Sequence, residues 1–176
     1  MYRISNKPPP PALNEERLRD LALRYVGKYA TSRAKLSAYL NRKIRERDWD
    51  DAGQPDIEAL VNRFSELGYV NDAQFADARS RSFIRRGYGK RKLDENLRSA
   101  GIESRDAASA LEHATMSEVA AAENLARRKR IGPFAQSKAS EEKKRRNLQT
   151  FLRAGHRWEI ACRFVNADPG EFIEEI

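Results

Sequence analysis

Residues 66–102 read ELGYVNDAQFADARSRSFIRRGYGKRKLDENLRSAGI. A helix that stops on a left-handed glycine usually sets the residue after the glycine against the residue four before it. Gly68 pairs Phe64 with Tyr69 in this way, and Gly101 pairs Leu97 with Ile102. Between those stops lies RRGYGKRK, in which Arg85, Arg86, Lys90, Arg91 and Lys92 surround Gly87, Tyr88 and Gly89. Two glycines permit a tight turn between two helices. Tyr88 at the bend either plugs a core under the turn or stands exposed among the cations.

The same stop recurs downstream, where Gly155 pairs Phe151 with His156. Aligning LDENLRSAGI with NLQTFLRAGH places Phe151 over Leu97, and SRAKLSAYL takes the corresponding place near the N-terminus. Apolar residues at helical spacing fill in the rest. Leu18, Leu21, Ala22, Tyr25, Val26 and Tyr29 mark a first helix; Leu36, Leu40 and Ile44 a second, capped by Thr31 or Ser32; Ile57, Leu60, Val61, Phe64 and Leu67 a third. Asn71 and Gln74 are spaced as a capping box before a fourth helix with Phe75, Ala78, Ser82 and Phe83 on its face. Leu93, Leu97 and Ala100 give the fifth, and Ala107, Ala110, Leu111 and Ala114 the sixth. Thr115 and Glu118 form a second capping box, opening a seventh helix with Val119, Ala122 and Ala126. Leu148, Phe151 and Leu152 define the eighth, and Trp158, Ala161, Cys162 and Val165 the ninth.

No run alternates long enough to read as a strand, so the chain is predicted all-α. The expected architecture is an elongated, curved array of three tandem three-helix repeats, at 14–70, 71–114 and 115–167. A proline-rich arm, 1–13, is expected to be disordered, and an acidic tail spans 168–176.

The 176 residues carry 34 Lys plus Arg against 26 Asp plus Glu, a formal net charge of +8. That excess points to an anionic partner. No apolar run approaches the length of a membrane span, and the N-terminal residues lack a signal-peptide core, so a cytoplasmic protein with no membrane contact is expected. One cysteine, Cys162, and two histidines, His113 and His156, supply no zinc-ligand set. RGYGK contains G-x-G without a preceding strand or a third glycine, which excludes a dinucleotide loop. His156 and Cys162, six apart, would face different sides of one helix. Catalytic, cofactor-binding and metal-binding residues are therefore all expected to be none.

The positive signal is three basic clusters: the elbow, Arg127, Arg128, Lys129 and Arg130 late in the seventh helix, and Lys143, Lys144, Arg145 and Arg146 in the eighth. Cations at a helix C-terminus suit its dipole, which accounts for Arg85 and Arg86 and for the seventh helix. Lys90, Arg91 and Lys92 open a helix, where positive charge is unfavourable, and this points to a negatively charged partner.

The quoted stretch resembles the central segment of the RecX family of bacterial regulatory proteins. A leucine-glycine-tyrosine stop, an acidic-capped helix with a Phe-Ala pair and an Arg-Gly-x-Gly turn follow in that order, here as Leu67, Gly68, Tyr69, Asp72, Phe75, Ala76, Arg86, Gly87 and Gly89. ALRYVGKYATSRAKLSAYL resembles the opening helix of the family and the Ser-Arg-x-x-Leu start of its second helix. Departures lie in the DWDDAGQPD insertion, the proline-rich arm and the C-terminal third, which matches only through FLRAGH and WEIACRFV.

The resemblance implies a non-enzymatic modulator of the RecA recombinase, a monomer that lies in the groove of the RecA filament on single-stranded DNA and lowers ATP hydrolysis and strand exchange in DNA repair and recombination. An elongated basic array would suit such a groove, and touching several protomers at once would favour filament over free RecA. Tyr88 and the three basic clusters are the expected partner-binding residues. The alternative is a stand-alone DNA-binding protein with helix-turn-helix-like basic repeats.

Overall fold

All three glycine stops form as the spacing requires. Gly68, Gly101 and Gly155 take φ of 75°, 72° and 91°, and the amides of Tyr69, Ile102 and His156 donate to the carbonyls of Phe64, Leu97 and Phe151 at 2.9, 3.1 and 3.2 Å. The rings of Phe64 and Tyr69 lie 5.4 Å apart, as do those of Phe151 and His156. In the computed structural model, which describes residues 11–173, these stops punctuate an all-helical chain. Its elements are α1 (Glu15–Lys28), α2 (Arg33–Arg45), α3 (Ile57–Glu66), α4 (Asp72–Arg85), α5 (Lys90–Ser99), α6 (Ser104–Met116), α7 (Glu118–Lys129), α8 (Glu141–Arg153) and α9 (Trp158–Asn166), with one 3-10 turn at Gly132–Phe134.

The described residues divide into two compact units, one ending at Asn71 and the other beginning at Asp72. In the first, α1, α2 and α3 close over Leu18, Ala22, Leu36, Leu40, Val61 and Phe64. Asn14, Ser32 and Asp56 cap the three helices, accepting from the amides of Arg17, Lys35 and Ala59. Residues 1–10 of the expected disordered arm lie outside the described residues. Its last residue, Leu13, is fully buried and exchanges 2.7 Å backbone hydrogen bonds with Asp48 and Asp50, so the arm ends before this point. That pairing with the insertion makes an isolated bridge between Leu13 and Trp49.

In the second unit, α4 and α6 pack through small residues. Ala76, Ser80, Ala107, Ala110 and Ala114 are buried there, and the Ser80 hydroxyl donates to the Ala110 carbonyl at 3.0 Å. Small side chains let two backbones approach closely and give the helix pair its interlocking surface. A second cluster joins α7, α8 and α9 around Leu125, Phe151, Ile160 and Phe164, with the two phenylalanine rings stacked at 5.8 Å.

Four sequence expectations need correction. The face of α4 is Phe75, Ala76, Ser80 and Phe83, with Ala78 exposed. That of α9 is Ile160, Ala161, Phe164 and Val165, while Trp158 is largely exposed and Cys162 half-buried. Thr115 does not cap α7: it belongs to α6, where its hydroxyl donates back to the Leu111 carbonyl at 2.8 Å. His156 likewise sits in the α8 stop and not on one helix with Cys162.

Candidate functional site

The elbow is a seam between the two halves of the second unit. Gly87 takes φ of 72° and the Tyr88 amide donates to the Phe83 carbonyl at 2.9 Å, so α4 ends on the same kind of stop as α3, α5 and α8. Tyr88 is half-buried. It packs against both hydrophobic clusters of this unit, with its ring 5.2 Å from that of Phe83 and the Arg86 guanidinium 5.1 Å above it. Core plug and cation contact are thus the same residue.

The glycines serve close approach. A Cβ on Gly87 would stand 2.6 Å from the Leu125 amide nitrogen, and one on Gly89 would stand 2.4 Å from the Gly155 carbonyl oxygen. Gly155 is equally tight, since its Cβ would lie 2.5 Å from the Lys92 amide nitrogen. Only glycine lets the start of α5 rest directly on the end of α8. The amides of Gly89 and Arg91 donate to the carbonyls of Ala154 and Gly155 at 2.9 and 3.3 Å, and the Arg91 guanidinium reaches the Leu152 carbonyl at 2.5 Å.

This corrects the electrostatic inference drawn from the elbow. Lys90, Arg91 and Lys92 open α5, but the carbonyl end of α8 abuts them, and its partial negative charge compensates the cations. Lys92 also pairs with Glu95 at 3.2 Å. Within the elbow, Arg85 and Lys90 are the cations with neither a hydrogen-bond nor an ion-pair partner nor a ring contact among the described residues.

Two further groups hold the seam. Asn124 donates to the Ile84 carbonyl at 3.1 Å, tying α7 to the end of α4. Buried His156 has Nε2 3.1 Å from the Gly87 carbonyl, which requires the Nε2–H tautomer, and its Nδ1 has no partner. Burial holds this imidazole below its ordinary pKa, against the opposing pull of the Gly87 hydrogen bond and the Glu118 charge. Glu118, expected as a cap, is instead a buried carboxylate gripped by the Arg157 guanidinium at 2.8 and 2.9 Å from Nε and 2.6 Å from Nη2. That hydrogen bond and charge raise Arg157 above its usual pKa.

The clusters of α7 and α8 are exposed, apart from half-buried Lys144. Arg127 pairs with Glu123 at 2.6 Å and lies 4.4 Å over the Phe134 ring. Lys144 pairs with Glu141 at 3.0 Å, and Arg146 pairs with Glu142. Arg128, Lys129, Lys143 and Arg145 carry no ion pair among the described residues. Arg130 is the one non-glycine residue at positive φ, 54°, among the described residues, and it fills the stop position of α7 that Gly87 fills in α4. Holding an arginine there costs about 1 kcal/mol relative to glycine. Arg130, Lys143 and Lys144 share one recess with Lys138, a cation the sequence reading did not select. The fold thus brings two clusters separated in sequence to one place.

A second concentration of cations was not anticipated. In the first unit Tyr25, Tyr29 and Tyr39 line a groove together with Arg24, Lys28, Arg42 and Lys43. The alternation of basic and aromatic residues in RYVGKY and YLNRK was the signal available in the sequence.

Helical triplets, glycine-stopped and bearing cations on their surfaces, define a class of all-α proteins built from three-helix units. Comparison with known proteins makes the class specific. Residues 71–111 match the family model described as RecX, second three-helix domain. The chain is 31% identical over 160 residues to the regulatory protein RecX of Myxococcus xanthus, covering 86% of each chain. It is 30% identical over 139 residues to that of Agrobacterium fabrum, covering 77% of this chain and 73% of the relative. The fold matches the crystal structure of RecX from Lactobacillus salivarius with a TM-score of 0.60 at 20% identity, covering 85% of this chain and 93% of that one. The chain belongs to the RecX family of regulatory proteins.

Proposed function

We propose that this protein binds the RecA filament on single-stranded DNA and lowers its ATP turnover and strand exchange without catalysing a reaction itself. Membership of the RecX family supports RecA as the partner. The observation that carries the mode of binding is a group of exposed cations on the second unit that make no ion pair, side-chain hydrogen bond or ring contact among the described residues, among them Arg85, Lys90, Arg128, Lys129, Lys143 and Arg145.

The glycine seam supports that reading. Because the triplets α4–α6 and α7–α9 are clamped backbone to backbone, the cation clusters are held on one body and lose little freedom on binding. Several modest contacts to a polymeric target then add as avidity, which a free RecA monomer could not supply. The strained Arg130 fits the same reading, since a positive-φ arginine trades stability for charge next to Lys138 and Lys143.

The test is a titration into RecA, ATP and single-stranded DNA, following ATP turnover together with filament mass at two salt concentrations. The expected result is a fall in turnover with the protein bound to filament, weakening steeply as salt rises through counterion release. Binding to a defined duplex sequence with no effect on RecA would instead support the stand-alone DNA-binding alternative.

A further inference from the structure

The aromatic groove of the first unit has the chemistry of a single-strand site. Tyr25 and Tyr39 stack at 4.1 Å with 14° between their planes, although they come from α1 and α2. Tyr29 follows α1 directly, lies 5.3 Å from Tyr25 and is 50% exposed. Tyr29 is thus left half in water beside a ready-made stack, with the flexible Lys28 side chain over its ring. Cations crowd these rings: Lys28 stands 5.3 Å from the Tyr29 centroid, and Arg42 and Lys43 stand 5.5 and 5.8 Å from that of Tyr39.

The groove the seven residues line has a volume of about 520 Å³. That lies within the roughly 300–1,000 Å³ usual for ligand sites. Its charge is one-sided. Glu46 pairs with Lys43 at 2.5 Å and with Arg42 at 3.6 Å, whereas Arg24 and Lys28 have no ion-pair partner among the described residues.

We infer that this groove binds single-stranded nucleic acid, with a base stacked on Tyr29 beside the Tyr25–Tyr39 pair and the phosphates held by Arg24, Lys28 and Arg42. Stacking platforms edged by cations are the means by which proteins hold unpaired strands without reading sequence. A duplex keeps its bases stacked on one another and offers the rings nothing. An acidic peptide would use the cations but leave the tyrosines idle. The inference goes beyond the RecA reading and stands apart from it, because its test contains no RecA.

The test is fluorescence anisotropy of the full chain with a labelled oligo(dT) of about twenty nucleotides, since that length spans a typical single-strand site. Tyr29→Ala is expected to weaken binding about tenfold and Tyr29→Phe to change it little, because stacking needs the ring and not the hydroxyl. Arg24→Ala with Lys28→Ala should also weaken it and flatten the salt dependence. Photocrosslinking of a bromodeoxyuridine oligonucleotide should map to Tyr29 or its two neighbours, a readout that holds even if Tyr29→Ala fails to fold. The inference is overturned if Tyr29→Ala binds like wild type, if a duplex binds as tightly with the same mutational loss, if polyglutamate displaces the strand at equal charge, or if crosslinks fall only beyond Asp72.

Discussion

The two units use the same glycine stop for different ends. In the first, α3 ends at Gly68, around which a Cβ would meet nothing within 4 Å; the glycine is there for its φ of 75°. In the second, Gly87 and Gly155 have the same left-handed backbone and also lie against a neighbouring main chain at distances no side chain could share. One triplet closes over its own core, and two triplets become a single body through a seam of glycines. An identical local signal therefore marks a helix end in one place and an inter-repeat contact in another, and the atom beyond the turn decides which.

The largest effect on this difference between the units is expected from Gly89→Ala. Gly89 has an ordinary φ of −78°, so alanine costs nothing locally, but its Cβ would lie 2.4 Å from the Gly155 carbonyl oxygen. Forcing that contact apart should cost about 3 kcal/mol, the upper end of overpacking penalties. Urea unfolding should show the second unit losing stability while the first keeps its midpoint. An unchanged midpoint for the second unit would mean that the seam carries no weight.

Acidification should act on the same seam with a smaller effect. His156 is neutral in the folded state with its pKa lowered chiefly by burial, so below about pH 6.5 the unfolded chain binds a proton that the folded one resists. The stabilisation is present in full above that pH and is lost as pH falls from about 6.5 toward the depressed folded value. Comparing wild type with His156→Gln at pH 7.5 and 5.5 should show a steeper loss in wild type. Parallel losses would remove His156 from the seam.

Arg130→Gly should have the smallest effect, and a favourable one. Relieving a positive-φ arginine should raise the stability of the second unit by about 1 kcal/mol or less while weakening attachment to the filament. Calorimetry and a filament binding curve together check both signs.

Much of this fold was legible because its signals are local. The stops at Gly68, Gly101 and Gly155 depend on residues within one turn, and periodicity found every α-helix of the described chain. What failed was whatever a distant residue decides. Periodicity alone places Ala78 and Trp158 on buried faces because α4 and α9 carry apolar residues on more than one side, and only packing chooses among them. Glu118 has the spacing of a cap, but its partner, Arg157, is 39 residues away. The elbow's cations looked uncompensated because the helix end facing them belongs to α8, more than fifty residues further along. The basic clusters of α7 and α8 were evident in the sequence, but the recess that joins Arg130 to Lys143 and the tyrosine groove of the first unit both needed the fold.

On the proposed function, the unpartnered cations of the second unit, carried on an intact seam, hold the protein to the filament. The direct measurement is RecA ATP turnover on single-stranded DNA against wild type and against a variant with Arg85, Lys90, Arg128 and Lys129 changed to glutamate, four exposed positions that make none of the seam's hydrogen bonds. Circular dichroism should show both equally helical. Wild type is expected to lower turnover, and the variant to need at least about tenfold more protein for the same fall. A folded variant that inhibits like wild type, or a wild type without effect on turnover, would contradict it.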